Sequence, residues 1–257
     1  MRRTPFQART AALARHHLWF NWDGSLVVDV YHDVPEELRA IRERVAMCEM
    51  SPLSKFDVRG PDAARLIDRV TTRDVTTHHV HQVRYSPACD EDGKVVSELL
   101  IFRMADDLFR LSADPVGGWL RKHAEGLDVE IDDVTDDLGI LAVQGPRSVE
   151  LMEILTGERW SELPFSRIRE TGVAGSQLIV ARQGFTGELG FELWVSREVD
   201  QTCGTRWSRR ANAWASPRGE HAIEIARIEA GMLIPGRGLR ASGTRSSGHP
   251  DRDRDRP

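Results

Sequence analysis

The segment 176–195, SQLIVARQGFTGELGFELWV, constrains the fold more than any other part of the sequence. An apolar run lies on each side of a turn that carries three glycines within seven residues, Gly184, Gly187 and Gly190. Glycine tolerates the backbone conformations that tight turns need. Two strands joined so closely pair antiparallel, because a parallel pair requires a crossover of roughly a dozen residues or more. The sequence therefore predicts an antiparallel hairpin here.

The rest of the chain repeats this pattern, with short helices between the strands. Because adjacent strands are so often joined by short turns, parallel winding of βαβ units is disfavoured. The predicted fold class is α+β. Strands are predicted at 95–103, 109–113, 128–135 and 138–145, and helices at 35–46, 61–70, 115–124 and 219–236 and from Pro146 onward.

The composition narrows the class of protein. A chain of 257 residues, 40% of them hydrophobic, can bury the core of one large domain or of two closely packed ones. The formal net charge of −5 argues against a nucleic-acid binder. The 3 cysteines form neither a disulfide framework nor a zinc-type pair. We find no signal peptide and no apolar run of membrane length, so we predict a cytoplasmic protein.

Glu192 follows the glycine-rich turn on the returning strand, between apolar Phe191 and Leu193. A carboxylate in this position can face a cavity and accept hydrogen bonds from ligand N–H groups. The alternative is a solvated glutamate beside a β-turn. A phosphate-binding loop is disfavoured, because no lysine follows and no helix begins after the glycines.

Glu98 is the second candidate carboxylate, because it lies inside the apolar strand VVSELLIFR. A charged group there needs either a partner or an outward-facing position. The alternative, that Ser97 or Glu98 simply faces water, is equally compatible with the pattern.

Arg227 lies in the string ARIEAG, beside a predicted helical stripe of Ala222, Ile225 and Ile228. Its guanidinium could clamp a ligand carboxylate as a fork. The alternative is a surface arginine whose stem covers apolar side chains while its charge reaches water.

Three histidines, His78, His79 and His81, lie close together in TTHHVHQ. On a strand, His79 and His81 would share a face and could hold a metal ion. No cysteine or carboxylate follows at zinc-like spacing, so we favour a polar loop edge and predict no metal site.

Five strings of the sequence, taken in order, resemble the glycine-cleavage T-protein family of aminomethyltransferases and its folate-dependent demethylating relatives. The resemblance extends from about Trp19 to Gly236. It includes EELRAIRERVAMCEMSPLSKFDVRGPDAARLIDRVTTRD, YSPACDEDGKV, LAVQGPRSVELM, RQGFTGELGFEL and ARIEAGM.

The resemblance implies a folate-binding unit of two packed subdomains around a central channel, normally followed by a small C-terminal barrel. It implies tetrahydrofolate as cofactor and, as donor, an amine or the aminomethyl group on a lipoyl carrier, the H-protein. By the same resemblance, Glu192 binds the pterin, Tyr85 lines the folate site, and Arg227 is the helical arginine. Phe185 stands where the family usually has tyrosine, and Glu98 where it has the catalytic aspartate.

The substitution at Glu98 leaves three functions open. A carboxylate one methylene longer could support aminomethyl transfer, or methyl transfer to folate N5 as in the demethylating relatives. It could also belong to a folate-binding remnant with impaired catalysis, because misplacing a catalytic group by about 1 Å can cost on the order of a hundredfold in rate.

The C-terminal part of the sequence departs from the family. We predict a folate-binding domain over 1–236, within which 201–218 loses the resemblance, and a disordered tail over 237–257. Only 3 of the basic residues are lysines, which indicates GC-rich coding DNA, and frameshifts in such DNA would explain both stretches. The alternative is a naturally divergent loop and tail. The C-terminal barrel is expected to be missing, and the uncovered apolar surface to cause dimerisation or poor solubility.

Overall fold

A computed structural model describes residues 2–173, 175–197, 215–235 and 238–239. Most of the predicted tail, apart from Gly238 and Leu239, and most of the stretch 201–218 lie outside these residues. The helices of the described residues are α1 (Gln7–Leu13), α2 (Val34–Glu43), α3 (Ala63–Val70), α4 (Gly117–His123), α5 (Ser148–Thr156) and α6 (Glu220–Glu229). The strands are β1 (Leu18–Trp22), β2 (Ser25–Val30), β3 (Ala46–Glu49), β4 (Ser54–Arg59), β5 (Gln82–Cys89), β6 (Val95–Arg103), β7 (Leu108–Ala113), β8 (Glu130–Asp133), β9 (Leu138–Gln144), β10 (Ile168–Val173), β11 (Ser176–Ala181), β12 (Gly190–Ser196), β13 (Ser216–Pro217), β14 (Ile234–Pro235) and β15 (Gly238–Leu239).

Two β-sheets form the body of the protein. One sheet has the order β10-β11-β12-β9-β3-β13 and the other the order β5-β6-β7-β4-β8. Their pairs are antiparallel, apart from the short β13, which runs parallel to β3. The predicted hairpin is formed by β11 and β12, so both the hairpin and the α+β fold are confirmed.

Each sheet has one face covered by helices and the other turned toward the second sheet. In β12, Phe191 and Leu193 pack into the cluster that includes α5, whereas Trp194 belongs to the cluster between the sheets. In β6, Leu99 packs with α3 and α4, whereas Phe102 contacts Trp194 at a ring-centroid distance of 4.7 Å. We call the cluster between the sheets the inter-sheet core; its buried members include Ile41, Cys48, Val83, Phe102, Ile140, Ala142, Ala181, Trp194, Ala222, Ile223 and Ala226.

Helix α6 enters this core on a different face from the predicted one. Its buried residues are Ala222, Ile223, Ala226 and Arg227, while Ile228 is 58% exposed. The prediction that Ile228 shares the buried stripe is therefore wrong. The small alanines let α6 approach α2 and the sheets closely, and packing of this kind overrides a weak apolar period.

Helix α2 runs beside α6 and starts where its sequence indicates. The Asp33 carboxylate accepts a hydrogen bond from the Glu36 backbone N–H, and Pro35 lies in the first turn. Two of its residues, Glu37 and Arg42, reach across to α6. Helix α2 thereby fixes α6 near both ends.

Candidate functional site

The glycine loop, residues 182–189 between β11 and β12, is filled by one side chain from β9. The Gln144 amide donates to the Gln183 carbonyl at 3.2 Å and accepts from the Thr186 hydroxyl at 3.2 Å. A Cβ on Gly184 would lie 2.2 Å from the Gln144 amide oxygen, and one on Gly190 would lie 2.3 Å from its nitrogen. These two glycines are therefore needed because buried Gln144 occupies the space that their side chains would take.

The third glycine of the loop faces α6. Gly187 has a φ of +80°, and a Cβ there would lie 2.7 Å from the Ala230 Cβ at the end of α6. A side chain at this position would meet both backbone strain and a steric clash. The three glycines thus fix the loop between β9 and α6, immediately before Glu192.

Glu192 is buried with few of its hydrogen-bonding positions used. It is 7% exposed, and its one carboxylate hydrogen bond within the described part of the chain comes from the Trp194 indole at 3.4 Å. Burial raises its pKa to about 7, and the Trp194 bond opposes this only in part. The solvated alternative is wrong: the carboxylate is desolvated and poorly paired, which suits it to accept ligand N–H groups.

Glu98 and Tyr85 form a pair on neighbouring strands of the other sheet. The Tyr85 hydroxyl donates to Glu98 Oε1 at 2.7 Å. Ser97 is buried with Leu99 on the helix-covered face, so strand alternation places half-buried Glu98 on the opposite, inter-sheet face. Burial raises the pKa of Glu98, and the Tyr85 bond lowers it.

Two charged residues near Glu98 act on it electrostatically. The negative charge of Asp114, just after β7, raises the pKa of Glu98, and the positive charge of Arg227 lowers it. Tyr85 is 45% exposed, and its pKa is raised above the usual value by partial burial and then by Glu98. Glu98 therefore lies in a polar group at the edge of the inter-sheet space.

Arg227 is buried and its fork is already engaged. Its Nε and Nη2 donate to the two carboxylate oxygens of Glu224 at 3.0 and 2.5 Å, and its Nη1 donates to the Met232 carbonyl at 2.9 Å. At 3% exposure it is not the surface arginine of the alternative interpretation. Its rigid position makes it a fixed positive charge near Glu98.

Phe185 packs against the inter-sheet core from the glycine loop. Strand alternation puts Glu192 on the face of Trp194, and Tyr85 and Glu98 on the faces of Val83 and Phe102, which are members of this core. Glu192 and Phe185 come from the six-stranded sheet and its loop, Tyr85 and Glu98 from the five-stranded sheet, and Arg227 from α6. Residues far apart in sequence are thus collected where the two sheets meet.

The sequence matches the family model described as the GCVT N-terminal domain over residues 14–245. The chain belongs to this family. The resemblance to glycine-cleavage aminomethyltransferases is thereby confirmed, and the five strings that carried it belong to one homologous domain.

Relatives of this GCVT N-terminal domain are aminomethyltransferases. The one from Rubrobacter xylanophilus is 33% identical, over 93% of this chain and 64% of its own length. The one from Thermotoga maritima is 28% identical, over 93% of this chain and 67% of its own length. The chain therefore spans about two thirds of the length of the curated relatives it matches.

Solved structures show the same fold. The glycine cleavage system aminomethyltransferase T from Bartonella henselae superimposes with a TM-score of 0.80 at 21% identity, covering 90% of this chain and 63% of that chain. Heterotetrameric sarcosine oxidase from Corynebacterium sp. U-96 gives a TM-score of 0.56 at 15% identity, covering 84% of this chain and 97% of that chain.

The three histidines of this GCVT N-terminal domain, His78, His79 and His81, do not lie on one face of a strand. His78 is buried, its Nε2 lies 2.9 Å from the Gln82 carbonyl oxygen, and burial lowers its pKa to about 4. His79 and His81 are exposed in the turn that precedes β5, and His81 has a φ of +61°. No group of three metal-ligating side chains occurs among the residues that the structure describes.

No helix in the described ranges is both long and apolar enough to span a membrane.

Sequence reasoning missed two residues of the site. Gln144 lies near the end of the predicted strand 138–145, in the string LAVQG, but nothing local indicates that its amide fills a loop 39 residues away. Asp114 directly follows the predicted strand 109–113 and could have been singled out as a carboxylate at a strand end.

Proposed function

We propose that the chain is the folate-binding unit of an aminomethyltransferase that moves a one-carbon unit from an amine or lipoyl-bound aminomethyl donor to tetrahydrofolate. The observation that carries the proposal is the Glu192 carboxylate, which is 7% exposed and has one hydrogen bond of 3.4 Å within the described residues. A desolvated carboxylate in this state is stabilised by a ligand that donates N–H groups, as the aminopyrimidine edge of a pterin does. The residues present therefore fit the group that the family uses.

The proposed roles follow from the surroundings of each side chain. Glu192 accepts hydrogen bonds from the pterin, and Phe185 beside it offers an apolar contact without a hydroxyl. Tyr85 lines the folate site and orients Glu98 through its 2.7 Å hydrogen bond. Arg227 supplies a fixed positive charge, and its fork would have to leave Glu224 to bind a ligand carboxylate.

Glu98 is proposed as the catalytic carboxylate. When bound, tetrahydrofolate would receive the one-carbon unit at a ring nitrogen. Glu98 would orient that nitrogen and stabilise positive charge that develops there, which is a preorganised electrostatic effect. The Tyr85 hydrogen bond and the charge of Arg227 both favour the ionised Glu98 that this role requires.

Calorimetric titration with tetrahydrofolate tests the proposal. We expect the wild-type chain to bind, Glu192→Gln to lose at least about tenfold in affinity, and the exposed-site control Glu162→Gln to bind normally. Glu98→Gln should keep its affinity and lose turnover. Absence of binding by the folded wild-type chain would rule out the function, and equal affinity in Glu192→Gln would rule out the site.

A second candidate function is folate binding with impaired catalysis. The observation that favours it is the short Tyr85–Glu98 hydrogen bond, which holds in place a carboxylate one methylene longer than the family's aspartate. A third, methyl transfer to folate N5, differs only in the donor. Turnover assays with a lipoyl-aminomethyl carrier protein and with dimethylglycine separate the three, and Glu98→Asp should raise the rate if the extra methylene is what limits it.

We propose the lipoyl-bearing H-protein as the partner of the aminomethyl-transferring form, and the cytoplasm as its location. The acidic net charge of −5 and the scarcity of cysteines support a partner other than nucleic acid and a reducing compartment. Binding of the lipoylated carrier to the chain, measured with and without its lipoyl group, tests the partner.

We further infer a single folate-binding domain over 1–236 and off-frame residues within 201–218 and 237–257. Arg218, the last residue of the first stretch, supports this: it is 1% exposed, and its Nε and Nη2 have no hydrogen-bond partner within the described residues. Its Nη1 donates to the neighbouring Pro217 carbonyl at 2.6 Å. Burying a guanidinium that is only partly hydrogen-bonded is costly, which is atypical of a residue selected for its position. Resequencing the locus tests the inference, and an uninterrupted frame that encodes this chain would contradict it.

A further inference from the structure

One guanidinium joins the glycine loop to α6. The Nη1 of Arg42 donates to the Thr186 carbonyl at 2.6 Å and to Glu188 Oε1 at 3.0 Å, both in the loop. Its Nη2 donates to the Ala226 carbonyl at 3.0 Å and to Glu229 Oε2 at 2.8 Å, both in α6. Arg42 itself belongs to α2, so three separate segments meet at this side chain.

The two ends of this bridge lie next to proposed site residues. Ala226 directly precedes Arg227, and the loop leads within a few residues to Glu192. Gly187 of the loop also packs on Ala230, which directly follows α6, so the junction has an apolar contact beside the polar one. A shift of the loop relative to α6 would therefore change where Glu192 lies relative to Arg227.

The bridge has the properties of a positioning device. The side chains of Arg42 and Glu188 are 26% and 28% exposed, so the charged hydrogen bond between them is partly shielded from water, whereas Glu229 is 51% exposed and its bond is more screened. The planar fork directs its donors into the loop and α6 at the same time. A lysine ammonium is a compact point charge and cannot hold two carbonyls and two carboxylates in this arrangement.

We propose that Arg42 is a positioning residue for the ligand site: it fixes the glycine loop against α6, so that Glu192 and Arg227 keep one relative placement. The proposal rests on the proposed function as far as the ligand is tetrahydrofolate. Arg42 has two arms, namely its hydrogen bonds to the glycine loop and its hydrogen bonds to α6. Removing either arm releases the same junction, so the effects of removing both on ligand affinity should not add.

The first test compares ligand affinity in variants measured at an equal interval below their melting temperatures. Arg42→Ala and Arg42→Lys should each lose about tenfold in affinity for tetrahydrofolate. The matched control is Arg147→Ala, which removes an exposed two-bond pair to Glu150, with both distances 2.8 Å, on α5. The control should bind as the wild type does.

The arms can be cut one at a time. Glu188→Gln weakens the arm to the loop, and Glu229→Gln weakens the arm to α6. Each should lower the affinity, and adding either change to Arg42→Ala should cause little further loss, since the bridge is already gone. Fully additive losses would contradict a single bridge and overturn the proposal.

Hydrogen exchange separates this proposal from the proposed function, because it needs no ligand. In Arg42→Ala the backbone amides of the glycine loop and of the last turn of α6 should exchange faster together, whereas those of α5 should not change. If the wild-type chain fails to bind tetrahydrofolate, the proposed function fails and exchange alone decides the role of Arg42. Unchanged exchange at the loop, or a lowered melting temperature with unchanged affinity, would overturn the positioning role.

Discussion

Two buried glutamates of this protein have opposite surroundings. Glu37, on α2, is 0% exposed, and Glu192, on β12, is 7% exposed. Glu37 accepts hydrogen bonds from the backbone N–H groups of Tyr31, His32 and Gly219 at 2.7, 2.8 and 2.8 Å. Glu192 accepts one from Trp194 at 3.4 Å. Both carboxylates are buried, but Glu37 accepts three short hydrogen bonds and Glu192 accepts one long one. This difference indicates that the two carboxylates serve different purposes.

Complete pairing is what a structural charge needs in order to be tolerated in the interior. Glu37 joins the end of β2 to the start of α6, and Lys55 shows the same completeness for a cation, since its Nζ donates to the carbonyls of Ser51, Leu53 and Thr135. Within the described residues, the Glu192 carboxylate is bonded only to Trp194, two residues away on the same strand. Its burial would be stabilised by another molecule that supplies donors, so the comparison contrasts a structural carboxylate with the one that we propose to bind a ligand.

The largest expected effect is on stability, from Glu37→Gln. An amide cannot accept on both sides as the carboxylate does, so at least one buried backbone N–H is left without its partner. We expect a loss of about 3 kcal/mol in the free energy of unfolding, measured by urea titration. A loss below about 1 kcal/mol would show that these hydrogen bonds are replaceable and would remove the contrast with Glu192.

Glu192→Gln should have the opposite effect in neutral and alkaline solution. The pKa of Glu192 is about 7 in the fold, against an ordinary value of 4.5. A raised carboxyl pKa contributes stability that is complete below pH 4.5 and is lost as the pH rises through 7. Relative to the wild type, the ligand-free variant should therefore gain about 2 kcal/mol between pH 5 and pH 8.

Urea titrations of both proteins at these two pH values check this prediction, with Glu162→Gln as a control on the surface. A stability difference between wild type and Glu192→Gln that is the same at pH 5 and pH 8 would mean that Glu192 titrates normally. In that case the carboxylate would not be desolvated, and the main argument for a ligand site would fail.

The sequence singled out the poorly paired glutamate but not the well-paired one, and the reason is the range of the contacts. Strand alternation and the glycine turn made Glu192 a candidate, with a solvated glutamate as the alternative, and the family resemblance then implied its role. Glu37 accepts two of its hydrogen bonds from nearby Tyr31 and His32, but its pairing is completed by Gly219, which lies 182 residues away along the chain. The same limit concealed Gln144, whose amide fills the glycine loop, and the buried face of α6, which packing with α2 decides.

Strand alternation also did not decide whether Glu98 is buried. It assigns Ser97 and Glu98 to opposite sides of the sheet, but it does not say which side is exposed to water. Helices α3 and α4 cover the Leu99 face, and Glu98 consequently lies on the other. The hydrogen bond between Tyr85 and Glu98 also depends on the register of β5 against β6. Glu98 is opposite Pro87, so the Tyr85 side chain reaches it diagonally from a position two residues before Pro87. Such a contact requires the observed register between β5 and β6, which the sequence does not specify.

Ligand affinity should depend on pH because the ionised Glu192 offers two charged acceptor oxygens to N–H donors, whereas its protonated form keeps one good acceptor and presents an O–H to the ligand. With a pKa of about 7 in the empty site, binding at pH 6 must first remove a proton from most molecules. The affinity for tetrahydrofolate should therefore fall about tenfold from pH 8 to pH 6. Calorimetry in buffers of different ionisation enthalpy should detect the released proton.

In Glu192→Gln both the proton release and this pH dependence should disappear, while Glu98→Gln should retain them. Proton release that persists in Glu192→Gln would assign the titration to another group, and the contrast between Glu37 and Glu192 would then no longer explain ligand binding.

The smallest expected effect comes from Tyr85→Phe. It concerns Glu98, whose hydrogen bonding is intermediate between that of Glu37 and that of Glu192. Glu98 is half-buried and has one good hydrogen bond, from the Tyr85 hydroxyl at 2.7 Å. Removing that donor should change the free energy of unfolding by no more than about 1 kcal/mol, because Tyr85 is 45% exposed and water can replace it in part. The pKa of Glu98 should nevertheless rise further, since burial already raises it and the hydroxyl opposes that rise.

Carbon-13 titration of the glutamate carboxyl signals, with Glu98→Gln to assign the resonance, measures this shift. A pKa that is unchanged or lower in Tyr85→Phe would mean that the hydroxyl does not stabilise the ionised form, and Glu98 would then depend on Arg227 alone for its charge.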